Sequence, residues 1–388
     1  MQQPSPQEIR RHRLRAQRLW DSPGDDAAAA LRWMLAFQSQ EFAYARWSLA
    51  QRCGGPARDN AAEVDAAIAG GRILRTHVLR PTWHFVAAED LRWLMLLSGP
   101  RLKAGNKGRD RQLGLDEATV ARSNDVLAAA VAGGRHLTRD ELAARLAQAA
   151  LLKDDGARLN GATLRGQRLG HLVFHAEMDR VLVNGPPRTA GSGAVQQTYA
   201  AFDERVPPLA ADFDRDAALA QLTGRYFTSR GPATLKDCSD WCKLPQADLK
   251  RGLEAGGSDG LERFDAEGQQ LWYSPAAGTF GGAAAAADDG HPRADLIQCY
   301  DEYVMGYTKT RGYLGGNAPA ALGGEVPIHV LLLDGRMAGN WRHVLRPESA
   351  ELRLKPLRVF TEPERQAVDV AVERYAAFLR RPVSLDLI

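Results

Sequence analysis

Apolar residues recur at helical spacing in two adjoining stretches near the start of the chain. Residues 27–37 are rich in alanine, with leucine and methionine on one face, which predicts a buried helix. Residues 42–49 repeat the pattern and predict a second helix. Between them Gln38, Ser39 and Gln40 form a short polar break, with Ser39 as the predicted N-cap of the second helix.

The two glutamines are candidates for a binding site. If the break is extended, residues two apart project to the same side, so Gln38 and Gln40 would lie together at a helix N-terminus. Such a pair could hold a water molecule and a polar group. The alternative is that both are only capping or solvated turn residues, and spacing alone favours this alternative.

A helix–helix–helix–hairpin order occurs three times along the chain, and this is the order of a winged helix. In the second block, Thr138 and Glu141 predict a capping box. In the third block, helices are expected to begin at Pro232 and Pro245. The predicted strand pairs are residues 72–79 with 83–86, 180–184 with 197–202, and 261–264 with 270–273.

The last part of the chain changes to a strand pattern. Asp334 and Gly335 separate two apolar runs and predict a hairpin, and residues 362–380 predict an amphipathic helix. We therefore expect an α+β fold of three tandem winged-helix domains, followed by a small β-barrel domain with a C-terminal helix. The expected boundaries are 1–100, 101–209 and 210–277 for the winged helices, and 278–388 for the linker and barrel.

Composition limits the possible classes of protein. The 388 residues are 45% hydrophobic and 25% charged, as in soluble globular proteins. The net charge is only +3, so any DNA-binding face must be local. The first 18 residues lack the apolar run of a signal peptide, no run has membrane-spanning length, and four sparse cysteines suit a reducing compartment. We expect a cytoplasmic protein that has no membrane partner.

Six fragments in one order carry a family resemblance. They are the Gln38–Gln40 break and residues 80–84, 165–179, 230–234, 300–307 and 330–341. Together they resemble the bacterial winged-helix DNA glycosylases of the AlkZ type. The resemblance implies excision of bulky N-alkylated purines and unhooking of interstrand crosslinks. It also implies damaged double-stranded DNA as the partner, and we expect a monomer without a cofactor.

The resemblance also implies the site residues. In that family a Gln–apolar–Gln or Gln–apolar–Asp motif carries catalysis, and it maps onto Gln38 and Gln40, with Ser39 departing from the apolar middle residue. A hairpin of the β domain probes the minor groove in the family, and residues 308–327 occupy the corresponding place here. From composition alone, these residues are predicted to form a long exposed loop, which is either functional or disordered.

Three further residues are candidates for pocket support. His84 follows a tryptophan on a predicted strand, although a histidine among apolar residues is more often a core group. Asp301 and Glu302 would either face the sugar or cap and pair with arginines. Carboxylates are unfavourable beside phosphates, which favours a structural role for at least one of them.

Clustered basic residues are the candidate DNA contacts. Residues 101–111 are predicted to form a mobile basic connector that could follow a phosphate backbone. For Lys236, Lys250 and Arg251, solvated surface charge is the alternative. The candidates are Arg101, Lys103, Lys107, Arg109, Lys236, Lys250, Arg251, Lys309 and Arg311.

No metal site is expected. His171 and His175 share a helix face at a spacing that can bind a metal, but no third ligand is evident in the sequence, so core histidines are the expectation. Cys238 and Cys242 lack zinc-site partners and are expected to be buried thiols. The sequence contains no phosphate-binding loop, dinucleotide fingerprint or Ser-His-Asp motif.

Glutamine chemistry limits the substrate. A glutamine has no usable pKa and cannot be a general base, so the leaving base must already be activated. A cationic N7-alkylguanine leaves as a neutral base, and the two amides could orient water and place carbonyl dipoles beside the sugar. No candidate Schiff-base lysine lies near the glutamines, which predicts a monofunctional enzyme. The alternative is a non-catalytic tandem winged-helix protein that binds DNA, such as a regulator.

Overall fold

The chain folds into two compact units in the computed structural model. Unit 1 comprises Met1–Asp65 and Leu219–Ile388, and unit 2 comprises Ala66–Ala218. The structure describes residues 3–24, 26–153, 156–189, 195–266, 268–280, 291–308, 310–311 and 329–388. Within those ranges, no helix is both long and apolar enough to cross a membrane.

Unit 1 begins with helices whose first turns are capped by side chains. Ser5 and Glu8 form a capping box on the first helix, and Asp26 accepts a hydrogen bond from Ala29 N (2.7 Å) at the second. The elements are α1 Pro6–Ala16, α2 Ala27–Met34, β1 Ala36–Gln38, α3 Phe42–Ala50 and α4 Ala57–Ala69, with the unit boundary inside α4.

Residues 219–388, far from the first helices in sequence, complete unit 1. Its helices are α10 Arg215–Arg230, with the second unit boundary inside it, α11 Leu235–Cys242 and α12 Gln246–Gly252. A π-helical turn and the antiparallel hairpin of β11 Glu262–Ala266 with β12 Gln269–Tyr273 follow. The predicted hairpin and the helix after Pro245 are confirmed. The helix expected to begin at Pro232 instead begins at Leu235, because Thr234 and Asp237 form its capping box.

The last part of unit 1 contains a sheet of five described strands. The elements are β13 Ala294–Ile297, α13 Glu302–Met305, β14 His329–Leu333, β15 Arg336–Leu345, β16 Ala350–Pro356, α14 Glu362–Leu379 and β17 Val383–Leu387. The strand order is β13-β14-β15-β16-β17, and β17 pairs parallel with β16 at one edge. Helix α14 contacts the strand at the other edge, β13. Among the described residues the sheet is therefore open, and the expected β-barrel is wrong.

Unit 2 combines helices with short strands. One of its apolar clusters includes Leu127, Leu142 and Leu172, which are fully buried. The helices are α5 Ala88–Gln112, α6 Glu117–Val131, α7 Arg139–Gln148, α8 Leu164–Met178 and α9 Phe202–Arg205. The strands are β2 Ile73–Val78, β3 Arg80–Ala87, β4 Leu137–Thr138, β5 Arg158–Leu159, β6 Ala162–Thr163, β7 Leu182–Asn184, β8 Arg188–Thr189, β9 Val195–Gln196 and β10 Thr198–Ala201.

Several local predictions for unit 2 are confirmed, and one is wrong. Thr138 and Glu141 form the predicted capping box, β2 pairs with β3, and β7 pairs with β10. Residues 101–111 are not a connector, because α5 continues through them to Gln112. The domain boundaries expected from the sequence remain predictions.

Candidate active site

The two glutamines lie where α2 gives way to α3, as predicted. Leu35 ends α2 in a conformation with positive φ (66°), which is strained for a residue with a branched side chain. The chain then runs as β1 to Gln38. The predicted N-cap is wrong: α3 begins at Phe42 with Glu41 in the N-cap position, so Ser39 does not cap it.

Gln38 is buried and held through its backbone. Gln38 is only 3% exposed, and its backbone N–H donates to Glu302 Oε1 (3.0 Å). Its amide oxygen is buried without a hydrogen-bond partner among the described residues. Buried polar atoms are normally satisfied by protein or ordered water, so this oxygen is a candidate acceptor for a hydrogen bond from a buried water.

Gln40 lies in a different environment. It is exposed in the bend before α3, whereas Gln38 ends a strand whose three residues are all buried. The two amides therefore cannot be equivalent, although they are only two residues apart.

Glu302 connects distant parts of unit 1 at the glutamine segment. It is fully buried, and its second oxygen, Oε2, accepts from Arg230 Nη2 and Trp241 Nε1, both at 2.7 Å. Its first oxygen, Oε1, accepts the hydrogen bond from the Gln38 backbone N–H. Both carboxylate oxygens are thus occupied by donors from β1, α10 and α11.

Arg230 holds the strained turn in place. Its guanidinium donates to Met34 O (2.8 Å) and to Ala36 O (2.9 Å), the carbonyls on either side of Leu35. It also lies over the Trp241 ring, 4.4 Å from its centroid. These contacts offset the backbone strain that the turn carries.

Asp301 makes a second buried ion pair. Arg52 binds it with two nitrogens, at 2.7 and 3.0 Å, and both side chains are fully buried. Arg52 follows α3, so this pair fixes the far end of the helix that begins after Gln40. Of the two roles weighed for Asp301 and Glu302, the geometry matches pairing with arginines for both.

Sequence patterns did not indicate Gln298, which lies beside Gln38. It follows β13, is fully buried, and its Nε2 lies 3.5 Å from Gln38 O. Its amide oxygen, like that of Gln38, is buried without a partner among the described residues. A single glutamine 260 positions away has no local signal, and only the fold brings it here.

Glu41 places a carboxylate next to the glutamine segment. Its side chain is 36% exposed, and Oε2 lies 3.4 Å from His329 Nε2. The hydrogen bond from His329 lowers the Glu41 pKa, against the opposing effect of partial burial. The Tyr44 ring stacks between His329 and His343, with centroids 3.8 and 4.1 Å away, and burial lowers the His343 pKa to about 4.

His84 is a buried residue of unit 2 with both ring nitrogens in contact. Nδ1 lies 2.8 Å from Thr82 O, and Nε2 lies 3.0 Å from Arg80 Nη2. This pattern fits a neutral ring that donates from Nδ1 and accepts at Nε2. It is the arrangement of a satisfied core histidine, and a supporting role for His84 in catalysis stays a prediction.

Four of the predicted DNA contacts lie on one helix of unit 2, α5. Arg101 and Lys107 are exposed, whereas Lys103 pairs with Asp179 and Arg109 contacts Gln167. The first two are therefore better placed for phosphate. Their role as DNA contacts stays a prediction.

The remaining predicted DNA contacts belong to unit 1. Lys236 on α11 pairs with Asp240, and Lys250 on α12 lies 3.9 Å from Glu254 with both side chains largely exposed. Arg251 is exposed, and Arg311 donates to Tyr307 O (2.7 Å). Lys309 and residues 312–328 lie outside the described residues. Most of the loop expected to probe the minor groove is among them.

Comparisons with known proteins identify a family and a similar fold. A family model described as "DNA glycosylase AlkZ-like" matches residues 31–378. The fold is similar to that of a solved structure, the DNA glycosylase AlkZ of Streptomyces sahachiroi, with a TM-score of 0.72 and 20% sequence identity over 100% of both chains. No curated protein matches the sequence. The matched region includes the glutamine segment and both buried ion pairs.

Proposed function

The chain belongs to the AlkZ-like DNA glycosylase family, and from this premise we propose that it is a monofunctional glycosylase for cationic N7-alkylguanine-type lesions. The observation that supports the proposal most strongly is the Gln38 side chain, buried and with its amide oxygen unpartnered among the described residues. An amide so placed can hold a water molecule but cannot take its proton at neutral pH.

The chemistry then relies on the substrate. N7 alkylation makes guanine a cation, so the base leaves neutral when the N-glycosidic bond breaks, and no general acid is needed. The sugar becomes oxocarbenium-like, and dipoles already oriented toward it lower the barrier without reorganisation. Gln38 and Gln40 would orient water and place their carbonyl oxygens toward that charge.

Glu41 adds a negative charge to this site. Its lowered pKa keeps it ionised at neutral pH, and it is partly exposed one residue after Gln40. An ionised carboxylate near the sugar would stabilise the developing cation. Asp301 and Glu302 are less suited to this role, because their oxygens are occupied by arginines and other donors.

We further propose bulky adducts or interstrand crosslinks made by natural-product genotoxins as the lesions, which would make the enzyme a self-resistance or repair factor. The proposal includes double-stranded DNA as the partner, bound by a monomer in the cytoplasm through winged-helix domains. Release of a bulky N7 adduct compared with release of N7-methylguanine, from otherwise identical duplexes, tests this specificity. Faster release of the small adduct would count against it.

Single-turnover base release by Gln38→Ala and Gln40→Ala tests the mechanism. Loss of one transition-state hydrogen-bond partner costs roughly 3 kcal/mol, on the order of a hundredfold in rate. We expect that loss for each variant, with DNA affinity nearly unchanged, because neither amide belongs to the basic clusters.

Gln366→Ala, on the exposed face of α14, is the matched control and should excise at the wild-type rate. Unchanged rates in both active-site variants would remove the glutamines from the mechanism. Binding of damaged DNA without any base release by the wild type would instead favour the non-catalytic regulator.

A further inference from the structure

Unit 2 contains a cluster of three side chains that the glycosylase chemistry does not use. Asp110 lies near the end of α5, and His171 and His175 lie one turn apart on α8. Asp110 Oδ1 is 3.2 Å from His171 Nδ1 and 2.9 Å from His175 Nε2. The third ligand that the sequence did not reveal is thus supplied by a residue 61 positions before His171.

From this geometry we propose that Asp110, His171 and His175 form a site for a divalent transition-metal ion of the zinc type. One potential ligand atom from each residue lies within 4.8 Å of the other two. A tetrahedral ion with ligands at about 2.1 Å needs ligand atoms about 3.4 Å apart, so small side-chain rotations would complete the set. Two imidazoles and one carboxylate are a ligand set that zinc accepts, with a fourth position left for water.

The surroundings provide access for an ion. Asp110 and His175 are 9% and 5% exposed and line an open cavity of about 560 Å³. Asn124 lines the same cavity, and its Oδ1, which is buried without a partner among the described residues, can accept a hydrogen bond from a metal-bound water. The ion would join α5 to α8 inside unit 2.

Hydrogen bonds are the competing explanation for the same distances. Separations of 2.9 and 3.2 Å also suit two N–H donors sharing one carboxylate oxygen. Metal binding requires each coordinating nitrogen to be without its proton, and in His175 the proton would move to Nδ1, which is buried without a partner among the described residues.

The test is a Co²⁺ titration of the full chain after removal of metals with a chelator. Tetrahedral Co²⁺ has a strong visible absorption, and competition of Zn²⁺ with a chromophoric chelator gives the affinity. We expect one ion per chain in the wild type and at least tenfold weaker binding in Asp110→Asn and His171→Asn. His136→Asn, in the same unit but outside the cluster, should bind like the wild type.

A second measurement separates loss of the site from loss of folding. Co²⁺ should raise the melting temperature of the wild type and of His136→Asn but not that of the two cluster variants, whose metal-free melting is recorded alongside. The proposal is overturned if the wild type binds no ion, or if both cluster variants bind as tightly as the wild type. Because neither readout involves base release, the result is independent of the proposed glycosylase activity.

Discussion

Replacing Glu302 by glutamine tests whether the buried ion pair holds Gln38 in position. In the wild type Oε2 accepts from Arg230 and Trp241, while Oε1 accepts the Gln38 N–H. A glutamine side chain has the same shape but only one oxygen. If that oxygen stays with Arg230 and Trp241, the new NH₂ group faces the Gln38 N–H, so a donor meets a donor.

The energetic cost follows from the geometry. Two unit charges 2.7 Å apart attract by about 6 kcal/mol at an effective dielectric constant of about 20. Breaking a buried pair typically costs about 3–5 kcal/mol, because the remaining charge stays buried. Arg230 keeps its bonds to Met34 O and Ala36 O, so we expect the lower end of the range, about 3 kcal/mol.

Two measurements test whether Glu302→Gln destabilises the fold and exposes the Gln38 backbone N–H to exchange. The denaturant midpoint of Glu302→Gln should fall clearly, and the Gln38 amide should exchange its hydrogen faster in mass spectrometry of peptides covering residues 36–42. Glu362→Gln is the control, since its partner Arg365 is exposed on the surface of α14 and such pairs contribute little. An unchanged midpoint together with unchanged exchange at Gln38 would refute the assigned role of Glu302.

Two further predictions concern pH and salt. Burial lowers the pKa of His343 to about 4 from an ordinary 6.5, so the unfolded chain binds the proton first and stability falls as pH drops from about 6.5 to 4. His343→Gln should flatten this dependence in denaturant midpoints at pH 7 and 5, and equal slopes in both proteins would contradict it. Lys107→Gln should lower the slope of log affinity for DNA against log salt by roughly one unit, whereas Arg358→Gln, paired with Glu364, should not; identical slopes would remove Lys107 from the interface.

Predictions from short-range pattern were confirmed where the determining residues are neighbours. Asp334 and Gly335 both have positive φ (50° and 73°), and the strands pair on either side of them as the sequence indicated. The capping box of Thr138 and the hairpin of β11 with β12 are of the same kind. In each case a few adjacent side chains determine the local backbone conformation.

Predictions failed where the structure depends on contacts between residues far apart in the sequence. Strand periodicity in the last hundred residues could not show whether the sheet closes. Among the described strands, β13 and β17 lie at opposite edges and do not pair with each other, so the sheet is open. Charge and glycine content suggested a connector at residues 101–111, yet that stretch is part of α5. Burial of one face, with Leu102 at 6% exposure, outweighs the low helix propensity of two glycines.

The candidate site shows the same division. Gln38 and Gln40 could be identified from the sequence because a resemblance pointed to them, whereas Gln298 and the donors around Glu302 could not. The contact from Gln38 N to Glu302 spans 264 positions. No periodicity operates over such a distance, so only the folded chain reveals what holds the segment.

The fixed environment of the glutamine segment bears on why the proposed substrate must be cationic. Asp301 and Glu302, which form the two buried ion pairs described above, have their oxygens occupied by arginines and backbone or indole donors. Each carboxylate is the counter-charge of a buried guanidinium, so both serve as structural ion-pair partners. Glu41 remains, but its lowered pKa makes it a poor proton donor at neutral pH. A site built in this way can stabilise positive charge on a sugar and hold water, yet it has little means to protonate a leaving base. We infer that selectivity against normal purines comes from this missing proton: an undamaged guanine would have to leave as an anion, and a cationic one does not.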